Sequence, residues 1–450
     1  MLPNTRLKVA VIGTGISGLS AAWLLSRRHD ITMYEQADRI GGHSNTVVAQ
    51  VAGRTIPVDT GFIVFNRITY PNLTALFEHL GVPTQASNMS FAASLDDGDL
   101  EYAGGTSTGL FAQPRNLIRP RFWSMLSDIR RFYREAPRDA DTREFENVSL
   151  GDYLTRRGYG SAFRDDHLIP MASAIWSAAP SDMLAYPASS FIRFHTNHGL
   201  LQITGRPIWE TVSGGSISYV RRLIAPIADK IKYKTAVVNV QRSDHGVRVI
   251  DSKGGAETFD HVVMATHADQ ALTALSDPSA LERTLLGAFR YNRSLAVLHS
   301  DESFMPKRRA AWASWNYIAS PASRREEASF TYWMNRLQNI PDETPLFVTL
   351  NPPRAPRPGT LHQSETYEHP IFDVQAVKAK RTLWELQGVQ RTWFCGAYFG
   401  YGFHEDGLQA GLAVAEQLGG VRRPWTVPNE SGRIALFEPC RSRTNTELAA

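Results

Sequence analysis

Three glycines, Gly13, Gly15 and Gly18, punctuate the stretch KVAVIGTGISGLSAAWLLSRRHDITMYEQ, and Glu35 stands near its end. The spacing is G-x-G-x-x-G, and its chemistry is the binding of a dinucleotide. The first glycine permits a tight turn, the second lets the main chain approach a pyrophosphate, and the third lets a helix pack on a strand. Ile16 and Ser17 sit inside the same turn, where the helix dipole faces the phosphates. Glu35, followed by Gln36, accepts hydrogen bonds from a ribose 2′-hydroxyl and repels a 2′-phosphate, which argues against NADP. A second group lies far along the chain in WFCGAYFGYGFHEDGLQAG, residues 393–411. Adjacent His404 and Glu405 form a pair able to relay a proton from a substrate. The plainer alternative makes Glu405 a first-turn carboxylate on a helix dipole and His404 a loop residue. Tyr398, with Phe399, Tyr401 and Phe403, offers rings for the wall of a site.

The elements that must hold these residues are readable from periodicity. Residues 8–12 are β-branched and apolar, as in a strand buried on both faces; a helix follows, then a strand ending in Glu35. Residues 66–81 read as a loop and a helix closed by Gly81. Between 115 and 134 stand six arginines against one acid, Asp128, with Phe122, Leu126, Ile129 and Tyr133 at helical spacing. This is either a solvated basic face or a patch that docks on anionic phospholipid. In 205–227 a Gly-Gly-Ser turn opens a helix, and alternating strands with turn signals follow. Residues 276–390 are rich in Trp and Tyr; Trp312, Trp315, Tyr317 and Trp333 are sheet core or the lining of an apolar tunnel. His195 and His198 read as structural. After 420 the periodicity fades, and the last ten residues are expected to be disordered.

Composition bounds the partners. A chain of 450 residues, 43% hydrophobic and 20% charged, builds a sizeable core and two domains. A net charge of +4 suits an anionic lipid surface or an acidic substrate, and no nucleic-acid signature is present. Cys395 and Cys440 are far apart, so neither a metal site nor a disulfide framework is expected, and Cys395 reads as a buried structural residue. Glycines interrupt the N-terminal apolar run, and no uninterrupted apolar stretch is long enough for a membrane span. The expectation is a cytoplasmic protein, peripheral on the inner face of the membrane.

QADRIGGHSNT, directly after the second strand, resembles the acid-x-x-x-R-x-G-G-R motif of the flavin-containing amine oxidase and phytoene-desaturase superfamily. Glu35, Arg39, Gly41 and Gly42 match it; His43 stands where Arg is usual. The resemblance runs in three blocks, 7–66, 205–275 and 391–419. It implies an α/β fold: a Rossmann-type FAD-binding domain built from segments 1–84, 205–275 and 391–425, with a tail over 426–450. A mixed α+β substrate domain comes from 85–204, helical and Arg-rich, and 276–390, largely sheet. The implied cofactor is non-covalent FAD. The implied contacts are Thr60, Gly61 and Phe62 after the hairpin, Val238 beside the adenine, and Ala265 and Thr266 near the pyrophosphate. At the flavin end they are Gly396, Ala410, and Gly407 and Leu408 with free N–H groups. His43 becomes a further catalytic candidate beside the flavin.

The runs VDTGFIVFN…YPNL and YGFHEDG are similar to a bacterial branch tied to cyclopropane and furan (methylated) fatty acid formation. That similarity implies a desaturase or dehydrogenase acting on a fatty acyl chain of a membrane phospholipid, with a methyltransferase as partner. Two alternatives stay open. One is a flavin amine oxidase, whose usual lysine-held water finds only Lys307, Lys378 and Lys380 in unpromising places. The other is a non-catalytic flavoprotein partner of a lipid methyltransferase.

Overall fold

The computed structural model describes residues 5–436 except 52, 141, 146–147, 177–178, 203–204 and 324–328. The expectations for Cys440 and for the last ten residues fall outside this set. Packing divides the chain into two compact units, one of Met1–Ile40, Ile224–Phe289 and Gln375–Ala450, the other of Gly41–Leu223 and Arg290–Val374. These lines differ from those drawn on the sequence at 84, 205, 275 and 390. Residues 41–84 pack with the second unit because strand Trp209–Val212 pairs with both Phe65–Asn66 and Thr84–Ser87.

The first unit is a parallel sheet of five strands: β1 (Lys8–Ile12), β2 (Asp30–Tyr34), β3 (Ile231–Lys232), β4 (His261–Met264) and β5 (Thr392–Phe394), in the order β3-β2-β1-β4-β5. Val9, Ala10 and Val11 are fully buried, so the unbroken apolar run of β1 reflects cover on both faces. Helix α1 (Ile16–Leu25) is buried along its whole length, which explains why it has no polar face. Helix α2 (His404–Gly419) lies against it. Asp406, in the first turn of α2, accepts from the N–H groups of Tyr401 at 3.0 Å and Phe403 at 2.8 Å. Gly420 ends the helix in the left-handed region, φ 62°. A three-stranded antiparallel sheet, 237–259, interrupts the chain between β3 and β4.

The second unit is built on a seven-stranded mixed sheet. From edge to edge the strands are Leu361–Ile371, Arg290–His299, Phe347–Leu350, Ser329–Trp333, Trp315–Ala319, Phe91–Leu95 and Leu100–Ala103. Only the pair Trp315–Ala319 with Phe91–Leu95 runs parallel. Tyr317, Phe330 and Tyr332 fill the core beside this sheet, and Trp333 packs edge-on against Trp312. These aromatics therefore serve packing. The Arg-rich segment is helix Pro120–Asp139, whose deepest residues are Phe122, Met125, Phe132 and Ala136. Leu126, Ile129 and Tyr133 flank that row, so the buried face is rotated slightly from the predicted one. Among the described residues no helix is long and apolar enough to cross a membrane.

Three histidines of this unit, His167, His195 and His299, are buried, and burial pushes each down to about 4. Such a group stabilises the fold fully above the unfolded value near 6.5, and that stability is lost as pH falls toward 4. Thermal melts from pH 7 to 4 should therefore show a steep loss, on the order of a few kcal/mol per histidine. The His195 ring stacks on Phe191 at 4.0 Å. His195→Phe should flatten the pH dependence, and an unchanged slope would show that His195 does not contribute.

Candidate functional site

In the first unit the strand order reverses between β1 and β4, and a ligand crevice forms at the carboxyl ends of strands at such a switch point. The glycine turn lies there. Gly13 has φ 102°, and its N–H reaches Tyr34 O at 2.9 Å. A β-carbon on Gly13 would stand 2.7 Å from Ala265 O, and one on Gly18 would stand 2.0 Å from Gly13 O. Protein closes both positions. Gly15 differs, because a β-carbon there would meet nothing within 4 Å. The main chain thus presents an open face at the glycine whose role is approach to a pyrophosphate, beside the N-terminus of α1. The residues present fit FAD. Glu35, after β2, is fixed by the N–H and hydroxyl of Thr14 and by the N–H of Ala37 at 2.8 Å. Gln36 is exposed, Arg39 half-buried, and Val238 exposed on strand Val237–Ser243. Ala265 and Thr266 follow β4; the Ala265 N–H bonds Ile12 O at 2.9 Å, bracing the turn.

The C-terminal motif is packed more tightly than its sequence suggests. A β-carbon on Gly396 would stand 2.3 Å from the Tyr398 ring. Tyr398 is buried against Phe289 at 5.3 Å and Phe399 at 5.0 Å. It is a core ring of this unit, a correction to its expected place in a substrate wall. Glu405 is buried and accepts from Gln409 Nε2 at 2.9 Å. Adjacent helix positions project roughly 100° apart, which turns Glu405 toward Gln409 and does not favour a direct contact with His404. Burial pushes His404 down to about 3, which keeps its imidazole neutral. Gly407 also needs correction. Its N–H closes on Phe403 O at 3.2 Å, and its missing β-carbon faces Ser17 Oγ at 2.8 Å. It is a helix-packing glycine rather than a source of a free N–H. Leu408 and Ala410 are buried in the same helix. Cys395 is buried and its thiol is pushed up, so it offers no thiolate for attachment to a flavin.

Lys380, set aside on sequence, lies under this loop. Its Nζ donates to Gly400 O at 2.9 Å and sits 4.1 Å from the centre of the Tyr401 ring. Burial pushes it down to about 8, against the pull of Asp406. Nothing in the local sequence marks it; the signal is the contact with a loop that follows it in the chain.

In the second unit Gly41 and Gly42 both have positive φ, 102° and 56°. A β-carbon on Gly61 would stand 2.3 Å from His43 O, which also accepts from the Phe62 N–H at 2.7 Å. The Thr60 N–H bonds Asn45 O at 3.0 Å. This lattice fixes the His43 ring 5.1 Å from Tyr367 and 5.0 Å from His369. Asn45 Nδ2 and Thr60 Oγ1 hold the Tyr367 hydroxyl at 2.9 and 2.7 Å. His369 in turn lines a small crevice of about 20 Å³, room for little more than one water, with Trp176, Met183, Tyr186, Ile371 and Phe372, where Asp182 and Asn292 are the other polar groups. Sequence reading found His43 and missed Tyr367 and His369, which arrive from strand Leu361–Ile371. Beside them Asp59 is buried and pushed up to about 6 by desolvation, while Thr46 and Ser216 hydrogen-bond it.

The glycines separate two effects. Gly15→Ala should leave the melting temperature of the apoprotein within about 2 °C and sharply lower FAD content, read from the ratio of flavin to protein absorbance. Gly411→Ala places a carbon 2.2 Å from Ser17 O and should cost about 1–3 kcal/mol of stability. Full flavin loading of the Gly15→Ala protein would contradict the assignment of the open face.

The model of the flavin containing amine oxidoreductase family matches residues 16–345. AofH of Mycobacterium tuberculosis, named as a flavin-containing monoamine oxidase, is 27% identical over 364 residues, 80% of this chain and 74% of AofH. A redesigned putrescine oxidase superposes with a TM-score of 0.65 at 14% identity, over 92% of this chain and 99% of its own. A CLA-producing fatty acid isomerase from P. acnes superposes with a TM-score of 0.64 at 14% identity, over 93% and 99%. At these identities the two solved structures speak to the fold, an α/β flavoprotein architecture. The family match covers more than half the sequence, and the chain therefore belongs to the flavin containing amine oxidoreductase family, as a flavin-dependent oxidoreductase with FAD as its cofactor.

Proposed function

We propose that this flavoenzyme dehydrogenates an apolar acyl chain, a methylated fatty acyl group of a phospholipid being the substrate class that fits best. The observation that supports this reading is the apolar crevice around His369 in the second unit. Its wall is mainly aromatic and aliphatic, with Trp176, Met183, Tyr186, Pro370, Ile371 and Phe372. An acyl chain would need this crevice to open, and its apolar lining favours such a chain over a charged ligand. The only lysine of that unit, Lys307, has its Nζ on Asp97 O, so it is engaged elsewhere. Bound FAD supplies acceptance of a hydride from carbon. Forming a double bond also releases a proton from the neighbouring carbon. His369, in the crevice wall with its ring 5.0 Å from that of His43, is the candidate to take that proton. A fatty acid isomerase shares the fold, which supports the acyl reading. On this reading a lipid methyltransferase supplies the methylated chain at the cytoplasmic face of the membrane.

A second reading is amine oxidation. Asp182 in the crevice gives a carboxyl group for an ammonium, and AofH is named as a monoamine oxidase. Anaerobic absorbance titration of the holoprotein separates the two. Phospholipid with methylated acyl chains should bleach the flavin band, with a new double bond in the recovered lipid, while putrescine and simple monoamines leave it oxidised. Bleaching by amines alone would overturn the acyl reading. His369→Asn should lower kcat about a hundredfold or more with FAD content unchanged. Unchanged turnover would remove His369 from the proton step.

A further inference from the structure

The sequence placed six arginines between 115 and 134, and the structure sorts them. Arg115 and Arg119 share Asp99 at 3.0 and 2.8 Å, Arg121 pairs with Asp166 at 2.8 Å, and Arg131 reaches Asp128 and Glu135. These are tied to acids and add little outward charge. A different set faces solvent. On helix Pro120–Asp139 the exposed positions Trp123, Ser127, Arg130, Arg134 and Arg138 recur at spacings of four and three and form one stripe without an acid. The stripe is roughly 22 Å long at 1.5 Å per residue. Arg134 leans on Glu135 at 2.8 Å. Arg130 and Arg138 have no ion-pair partner among the described residues.

At the N-terminal end of this stripe three large apolar side chains are left in water. Leu117 is 52% exposed, Ile118 82% and Trp123 48%. They are held rather than loose, because Trp123 Nε1 donates to Leu117 O at 2.9 Å and its ring packs 6.0 Å from Phe111. An exposed apolar cluster beside a basic stripe is not what a solvated face needs. It matches a surface that inserts aliphatic and indole groups at the headgroup level while guanidinium groups meet anionic phosphates.

We infer that this face, Leu117–Ile118–Trp123 with Arg130, Arg134 and Arg138, docks the protein on an anionic phospholipid bilayer. The inference goes beyond the proposed reaction and does not depend on it. The apolar trio selects a bilayer over a polyanion such as nucleic acid, which gives no place to Leu117 and Ile118. The arginines select anionic lipid.

The test is flotation of the FAD-loaded full chain with vesicles of phosphatidylcholine alone and of phosphatidylcholine with 30% phosphatidylglycerol, about the anionic fraction at which such attraction is strong. The expected result is binding to the anionic vesicles, at least about fivefold weaker at 0.5 M salt. Leu117→Ser/Ile118→Ser and, separately, Arg130→Glu/Arg134→Glu/Arg138→Glu should each lower the bound fraction at least about fivefold, with melting temperature and flavin absorbance unchanged. Turnover on detergent-dispersed substrate should stay the same in both variants, so failure of this inference and failure of the proposed reaction are seen separately. Absence of wild-type binding to either vesicle, equal binding by both variants, or retention on a nucleic acid with none on vesicles would overturn it.

Discussion

No β-carbon fits at Gly411 or Gly407, where two helices of the first unit meet. One on Gly411 would stand 2.2 Å from Ser17 O and 2.3 Å from Ser20 Oγ, and one on Gly407 would stand 2.8 Å from Ser17 Oγ. Helix α2 therefore lies directly on the main chain of α1. That approach buries α1 on the side the sheet does not cover, which is why ISGLSAAWLL carries no polar face. It also fixes where α2 begins, with Asp406 tying down the preceding loop through the N–H groups of Tyr401 and Phe403. The same economy of space recurs at Gly13 and Gly18 against Ala265. Gly15 alone in this turn faces open space, and the contrast between filled and open glycines is what distinguishes structure from site.

Charge in the interior is handled in two ways, by a shift toward the neutral form and by pairing, as where the buried side chains of Arg242 and Glu282 meet at 2.5 Å. Burial keeps His195, His299 and His404 neutral and lowers Lys380 to about 8, while it raises Asp59 to about 6. The buried carboxylate of Asp406 is instead satisfied by main-chain donors and by Arg433 at 3.3 Å. In the second unit His369, in the wall of the apolar crevice, and the adjacent His43 lie beside a network of Tyr367, Asn45 and Thr60. A proton handled at His369 thus has ordered neighbours.

Local features were readable from the chain. The strand, glycine turn, helix and acid of residues 8–35 form one βαβ unit, whose geometry is set by residues close in sequence. The late aromatic turn was readable as a strand end followed by a helix. Its side chains were not: Tyr398 turns onto Phe289, more than a hundred residues earlier, and Glu405 turns along its own helix onto Gln409. Lys380 looked unpromising because its partner Gly400 lies twenty residues on. His43 was visible as a departure from an arginine position, yet its role depends on Tyr367 and His369, more than three hundred residues later. The arginine count overstated the basic surface, since acids from other segments neutralise Arg115, Arg119 and Arg121.

We place the FAD pyrophosphate on the open side of Gly15. A crystal structure of the yellow holoprotein tests it most directly. The expected result is pyrophosphate density against the main chain at Gly15 and the first turn of Ile16–Leu25, with the ribose at Glu35. Dinucleotide density elsewhere, with Gly15 still facing solvent, would contradict it.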